Sequence, residues 1–152
     1  MYDYDLKTDF SQYKTYNFFE DAGDGMNELD VKRFIRSIEA NLDSIGYEKS
    51  EKPDFYINFI SGKSEAVRNK NVGVGVGAGG RNSGISISTD VFFGGAKINE
   101  KITIDFVAAV NNKLFWQGVL NMKVKEKIKP EERIAIVREA VKKILTKYPP
   151  NN

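Results

Sequence analysis

The apolar positions of this 152-residue chain change their spacing along its length, and each spacing predicts an element. From Asn27 to Ile45 they recur every three or four residues. Val31, Phe34, Ile35, Ile38, Leu42 and Ile45 fall on one face, which predicts an amphipathic helix. Asn27 suits its cap, Glu28 and Asp30 its first turn, and Gly46 its stop. A second helix is predicted to open at Pro130, with Glu131 and Glu132 in the first turn. Its stripe is Ile134, Val137, Val141, Ile144, Leu145 and Tyr148. Lys142, Lys143 and Lys147 lie toward its C-terminal end, and Pro149-Pro150 stops it.

Elsewhere the period falls to two or the apolar run becomes continuous. Tyr2 to Phe18 reads as extended, with Tyr2-Asp3-Tyr4-Asp5-Leu6 alternating and Tyr13 to Phe18 rich in aromatic residues. Asp54 to Ile60 is apolar on both faces and predicts a central strand. Ile102 to Val110 and Leu114 to about Val124 predict a hairpin across Asn111-Asn112, since asparagine tolerates positive φ. Lys123, Lys125, Lys127 and Lys129 then alternate along an extended tail, a common way to blunt an edge strand. The order β, α, β, hairpin, hairpin, α predicts an α+β fold in one domain over residues 1–152. A mostly antiparallel sheet of about five to six strands carries two amphipathic helices on one face. Phe34, Ile38, Leu42, Val137, Val141, Ile144 and Leu145 are the predicted core, set against Phe59, Ile104 and Phe106.

Eight of the 13 glycines lie between Val72 and Gly95. Val72-Gly73-Val74-Gly75-Val76-Gly77 alternates, Gly79 to Gly84 is turn chemistry, and Ile85-Ser86-Ile87-Ser88 alternates again. This predicts a hairpin or arm over about 72–95 with one apolar face and one nearly smooth face. Glycine inside a strand often marks close approach by a ligand or another backbone, so Gly73, Gly75 and Gly77 are candidate contact residues. The loose G-x-G spacing is not a phosphate cradle. No helix follows it, and no Gly-Lys-Ser or Gly-Lys-Thr occurs.

Composition removes several chemistries. With no histidine and no cysteine there is no Ser-His-Asp triad, thiol nucleophile, disulfide, haem ligand pair or ordinary zinc site. What remains is carboxylate pairs, a lysine, or oxygen-ligated metal. The acidic turn Glu20-Asp21-Ala22-Gly23-Asp24-Gly25 fails as a calcium loop. Aligned on Gly25, its third position is Ala22 and its twelfth is Val31. No metal and no cofactor are expected. Of the strand carboxylates Asp3, Asp5 and Asp105, the last is the leading candidate for a carboxylate-based hydrolase.

Charge is unevenly spread. Residues 1–60 hold seven basic and 13 acidic side chains, whereas residues 113–148 hold ten and four. Folding that brings these regions together cancels much of the field, whereas an exposed basic third would suit a cytosolic module binding an anionic polymer. Phe115 and Trp116 are adjacent in an alternating strand, so one ring should face inward. The other, with Tyr13 and Tyr16, would form an exposed aromatic strip, which makes Tyr16 and Trp116 candidate binding residues. Aromatics interleaved with lysine suit single-stranded nucleic acid, but the RNP pattern is absent and the net charge is only +2. No nucleic-acid partner is expected. No apolar run nears the ~20 residues needed to cross a bilayer, and Met1 to Asp5 has no signal-peptide character.

Asp9-Phe10-Ser11-Gln12-Tyr13-Lys14-Thr15-Tyr16, Leu42 to Tyr47, Pro53 to Ile57, Ile104 to Val107, Leu114 to Gly118 and the closing Ile144 to Pro150 form an ordered set of short motifs. Together they resemble one bacterial lipoprotein family, catalogued as domain of unknown function 4136. The resemblance covers nearly the whole chain in order. Ala108 stands where an acidic residue is expected and Gln117 where a basic one is common, which weakens any charged constellation on that hairpin. The resemblance implies an exported domain, tethered through a lipidated cysteine ahead of Met1 and facing the periplasm. The family carries no assigned activity, so the reading is a non-enzymatic binding or structural module of the cell envelope. Its partner, an envelope protein or ligand, and its oligomeric state stay open.

Overall fold

The structure, a computed structural model, describes residues 1–65 and 97–150. Six strands form one mixed sheet flanked by two helices. In chain order these are β1 (Tyr2–Tyr4), β2 (Thr15–Phe18), α1 (Glu28–Ser44), β3 (Glu48–Lys49), β4 (Phe55–Glu65), β5 (Lys97–Ala108), β6 (Leu114–Lys125) and α2 (Pro130–Leu145). The strand order is β1-β6-β5-β4-β2-β3. The expected α+β architecture therefore holds, but the sheet is less antiparallel than expected. β2 pairs parallel with both β3 and β4, with Tyr16 opposite Phe55.

The reason lies in the N-terminal segment. It is not one extended run. Asp9 accepts from the Ser11 amide at 3.0 Å and caps a 3-10 turn at Phe10–Gln12. The turn divides the segment. β1 pairs antiparallel with β6, Tyr2 opposite Gly118, while β2 is carried to the other side of the sheet beside β4.

Helix α1 ends where its sequence says. The Asn27 side chain accepts from the Leu29 amide at 2.7 Å, and Gly46 takes the positive φ of 93° that a side chain would resist. Asn112 likewise has φ 58°, in a connection spanning 109–113 that is wider than the expected two-residue turn.

One compact unit comprises Met1–Ser61, Ile102–Leu120 and Pro130–Asn152. Its core is the predicted one. Phe34, Ile38, Val137, Val141, Ile104 and Phe106 are fully enclosed, and Leu42, Phe59, Ile144 and Leu145 nearly so. Two stripe positions are corrected. Ile45 is 49% exposed because α1 ends at Ser44 and leaves it as the cap, and Ile134 is 43% exposed because, near the start of α2, it borders an open cleft. A second unit comprises Gly62–Lys101 and Asn121–Lys129, within which Glu100 and Val124 are buried. The lysine row is only partly strand, since β6 ends at Lys125. The glycine-rich segment expected over 72–95 lies outside the described residues.

Candidate functional site

The aromatic residues singled out by sequence lie in the interior. Tyr16 and Trp116 are both 0% exposed and Phe115 is 3% exposed, so the expected exposed aromatic strip does not form. The physical reason is that both rings join one aromatic cluster, each of them bordering Phe106. Trp116 meets Phe106 and Tyr148 with ring centroids 4.9 and 5.3 Å apart. Phe115 also stacks on the half-buried Tyr13 at 4.2 Å. The Trp116 Nε1–H donates to the Lys147 carbonyl at 3.3 Å, joining β6 to the chain just beyond α2. Tyr16 donates its hydroxyl to Asp43 at 2.9 Å, and burial followed by that carboxylate raises its phenol well above the ordinary range. Gly73, Gly75 and Gly77 lie outside the described residues.

Asp105 and Asp54 are committed to local geometry. Asp105 accepts from Gln117 at 2.7 Å across the β5–β6 hairpin. Asp54 accepts from the backbone N–H groups of Lys14 and Thr15 at 2.8 and 3.0 Å. Partial burial alone would raise the Asp54 carboxyl, but these donors outweigh it and hold the group below its ordinary value. No group of acidic residues able to hold a metal ion occurs among the described residues. No helix among them is long and apolar enough to cross a membrane.

A charged cluster that sequence reasoning missed lies between the two helices. Asp30 accepts from Arg133 at 3.1 and 3.0 Å and from Arg33 at 2.8 Å. Asp30 and Arg133 are each only 6% exposed. Sequence reading placed Asp30 at the helix dipole and Val31 on the apolar stripe. The available signal was the i, i+4 row Asp30, Phe34, Ile38, Leu42, all of them buried. Arg133, Val137, Val141 and Leu145 repeat that row on α2. An ionic residue heads each row.

Beside this pair runs a cleft of about 600 Å³ between α1 and α2. Leu29, Lys32, Arg33 and Arg36 line one wall and Ile134 and Arg138 the other. Lys32, Arg36 and Arg138 make no hydrogen bond or ion pair among the described residues. Two apolar side chains therefore sit among three uncommitted cations. In the second unit a shallower recess of about 490 Å³ lies between Gly62, Asn99, Lys101, Asn121 and Lys123.

Comparison with solved structures finds this fold in proteins of low identity. A PDZ domain protein from Parabacteroides distasonis matches with a TM-score of 0.64 and 16% identity, over 99% of this chain and 35% of that one. The chain thus spans about a third of that protein's length. Two PelC dodecamer structures from Paraburkholderia phytofirmans, one of a single-substitution variant, match with TM-scores of 0.53 and 0.50. They share 5% and 6% identity, over 96% of this chain and 94% and 96% of theirs. No curated protein matches. The family comparison agrees with the ordered resemblance along the sequence, and the chain belongs to the family described as Domain of unknown function (DUF4136), whose model matches residues 1–150.

Proposed function

We propose that this member of the family is a non-enzymatic binding or structural module of the bacterial cell envelope, lipid-anchored through a segment ahead of Met1 and facing the periplasm. The observation that carries the non-enzymatic part is the commitment of Asp105, the leading catalytic candidate, to Gln117 at 2.7 Å. A hydrolytic carboxylate pair needs a second carboxylate at a set separation across a substrate. Here Asp105's near partner is an amide. The partner is an envelope protein or ligand, and Gly73, Gly75 and Gly77 are its proposed contact residues. Self-association is the first partnership to test, because two structures of similar fold are dodecamers.

The test uses the full-length gene product in its native host. Palmitate labelling and membrane fractionation read the anchor, and in-cell cross-linking of the wild type and Gly75→Val reads the contact surface. We expect a labelled, membrane-associated protein whose cross-linked partner is lost in Gly75→Val at unchanged melting temperature. A soluble, unlabelled protein would overturn the anchor. Unchanged cross-linking in the variant would overturn the glycine contact surface.

A further inference from the structure

The α1–α2 cleft combines two properties that one ligand class satisfies. Three of its four cations are not used internally. Lys32, Arg36 and Arg138 have no partner among the described residues, and all three are exposed. Three of the carboxylates on α1 are meanwhile spent elsewhere. Asp30 is taken by Arg133 and Arg33, Glu39 by Lys49 at 2.9 Å, and Asp43 by the Tyr16 hydroxyl. Glu28, Glu131, Glu132 and Glu139 lie on these helices but do not line the cleft. The local field inside the cleft is therefore positive.

Its second property is apolar. Leu29 is 58% exposed and Ile134 43% exposed, one on each wall. A purely ionic partner would leave both in water. Guanidinium groups pair with oxyanions in a planar, bidentate fashion, and a phosphate offers more oxygens than a carboxylate to several cations at once.

We propose that this cleft is a binding site for a phosphate-bearing amphiphile. Arg36, Arg138 and Lys32 take the phosphate oxygens, Arg33 is held in place beside them by Asp30, and Leu29 and Ile134 take the first part of the apolar chain. Two sources supply this chemistry, a phospholipid headgroup in a membrane surface and a dissolved phosphorylated amphiphile. The inference stands on the cleft alone and does not depend on a lipid anchor or on the glycine segment.

The test uses the 152-residue chain. Binding is measured to vesicles of phosphatidylglycerol mixed with phosphatidylcholine, to vesicles of phosphatidylcholine alone, to monomeric short-chain phosphatidylglycerol, and to inorganic phosphate. The variants are Arg36→Gln with Arg138→Gln, and Leu29→Ser with Ile134→Ser. All four positions are exposed, and circular dichroism checks that each variant is folded. Each basic residue near an anionic surface contributes about fivefold, so the arginine pair should weaken binding to anionic vesicles roughly 25-fold. The serine pair should weaken lipid binding and leave phosphate binding unchanged. Binding to the monomeric lipid as well as to vesicles would identify single molecules as the ligand, and binding to vesicles alone would identify the membrane surface. Equal binding to neutral vesicles, or anionic binding unmoved by the arginine pair, would overturn the site. Inorganic phosphate bound as tightly as the lipid would overturn its amphiphilic character.

Discussion

Arg133 holds the carboxylate of Asp30 across 103 residues of sequence, Nε on Oδ1 at 3.1 Å and Nη2 on Oδ2 at 3.0 Å. Each side chain is 8% exposed, so this is a desolvated, two-point ion pair. Asp30 stands in the first turn of α1 and Arg133 in the first turn of α2, and the pair fixes where the two helices start relative to each other. It also joins the acid-rich first part of the chain to the basic last part.

Removing Asp30 takes one carboxylate from both Arg133 and Arg33. Asp30→Ala leaves two arginines around an empty position, and loss of one member of a buried pair costs about 3–5 kcal/mol. Arg133→Met should cost less, because Arg33 still reaches Asp30 at 2.8 Å. Replacing both, as Asp30→Leu with Arg133→Met, should recover much of the loss. Urea midpoints with unchanged slopes measure this. A midpoint unmoved by Asp30→Ala would show that the pair contributes nothing to stability.

Gly118 makes room for Trp116. A Cβ at residue 118 would stand 2.5 Å from Ile144 Cγ2 and 2.6 Å from Trp116 Cη2. Neither neighbour can retreat easily, since Trp116 is fully enclosed and Ile144 is 4% exposed. Gly118→Ala should therefore destabilise the fold by about 1–3 kcal/mol, the usual effect of overpacking. The single tryptophan reports it directly through a shifted emission maximum. Unaltered stability and emission would mean that α2 sits farther from β6 than described.

The two leucines that close the helical rows give a cavity test. Leu42 is 1% exposed and Leu145 7% exposed. Either change to Ala should cost about 2–5 kcal/mol, with Leu42 at the upper end because its site is the more enclosed. Denaturant titration ranks them. The reverse order would indicate that the Leu42 site collapses and the Leu145 site does not.

Periodicity made the helices, their caps and their buried rows legible, because a 3.6-residue stripe must face a core whatever that core contains. Strand order was not legible. Nothing in Tyr2 to Phe18 states that a turn capped by Asp9 sends its two halves to opposite sides of the sheet, yet that turn decides which pairs are parallel. Trp116 and Phe115 misled for a related reason. Alternation assigns one ring to solvent only when no distant segment covers it, and Tyr13 of the N-terminal segment stacks on Phe115 while Phe106 borders both rings. The Asp30–Arg133 pair and the cleft beside it depend on how two helices meet, which no single helix pattern contains.

Asp54 should contribute to acid sensitivity. Its folded-state carboxyl lies below the ordinary 3.8, held there by the Lys14 and Thr15 amides. The unfolded chain therefore takes up the proton first as pH falls. The stabilisation is complete above the unfolded value and is lost as pH drops through the folded one. Asp54→Asn keeps an oxygen acceptor but has no such titration. Wild type should lose stability relative to this variant as pH falls below about 5. Parallel pH profiles for the two proteins would remove Asp54 as the cause.

Alkaline behaviour should centre on two phenols. Burial raises both Tyr16 and Tyr148 far above the ordinary 10.0. Tyr148 is 5% exposed, and the Tyr47 hydroxyl is near enough to favour the protonated form. Even so, the Tyr148 hydroxyl makes no well-formed hydrogen bond among the described residues. A raised phenol means that the folded state keeps its proton when the unfolded chain has lost it. That contribution to stability is intact below 10.0 and declines as pH climbs beyond it. Tyr148→Phe deletes an unpaired buried hydroxyl, so it should be neutral or slightly stabilising at pH 7 and should blunt the alkaline decline. Tyr16→Phe should also blunt the decline but destabilise at neutral pH by about 1 kcal/mol or more, because it leaves Asp43 without its 2.9 Å donor. Melting temperatures across the alkaline range, with tyrosinate absorbance followed in the same samples, separate the two. A Tyr148→Phe protein that melts well below wild type at pH 7 would show that its hydroxyl holds a partner after all.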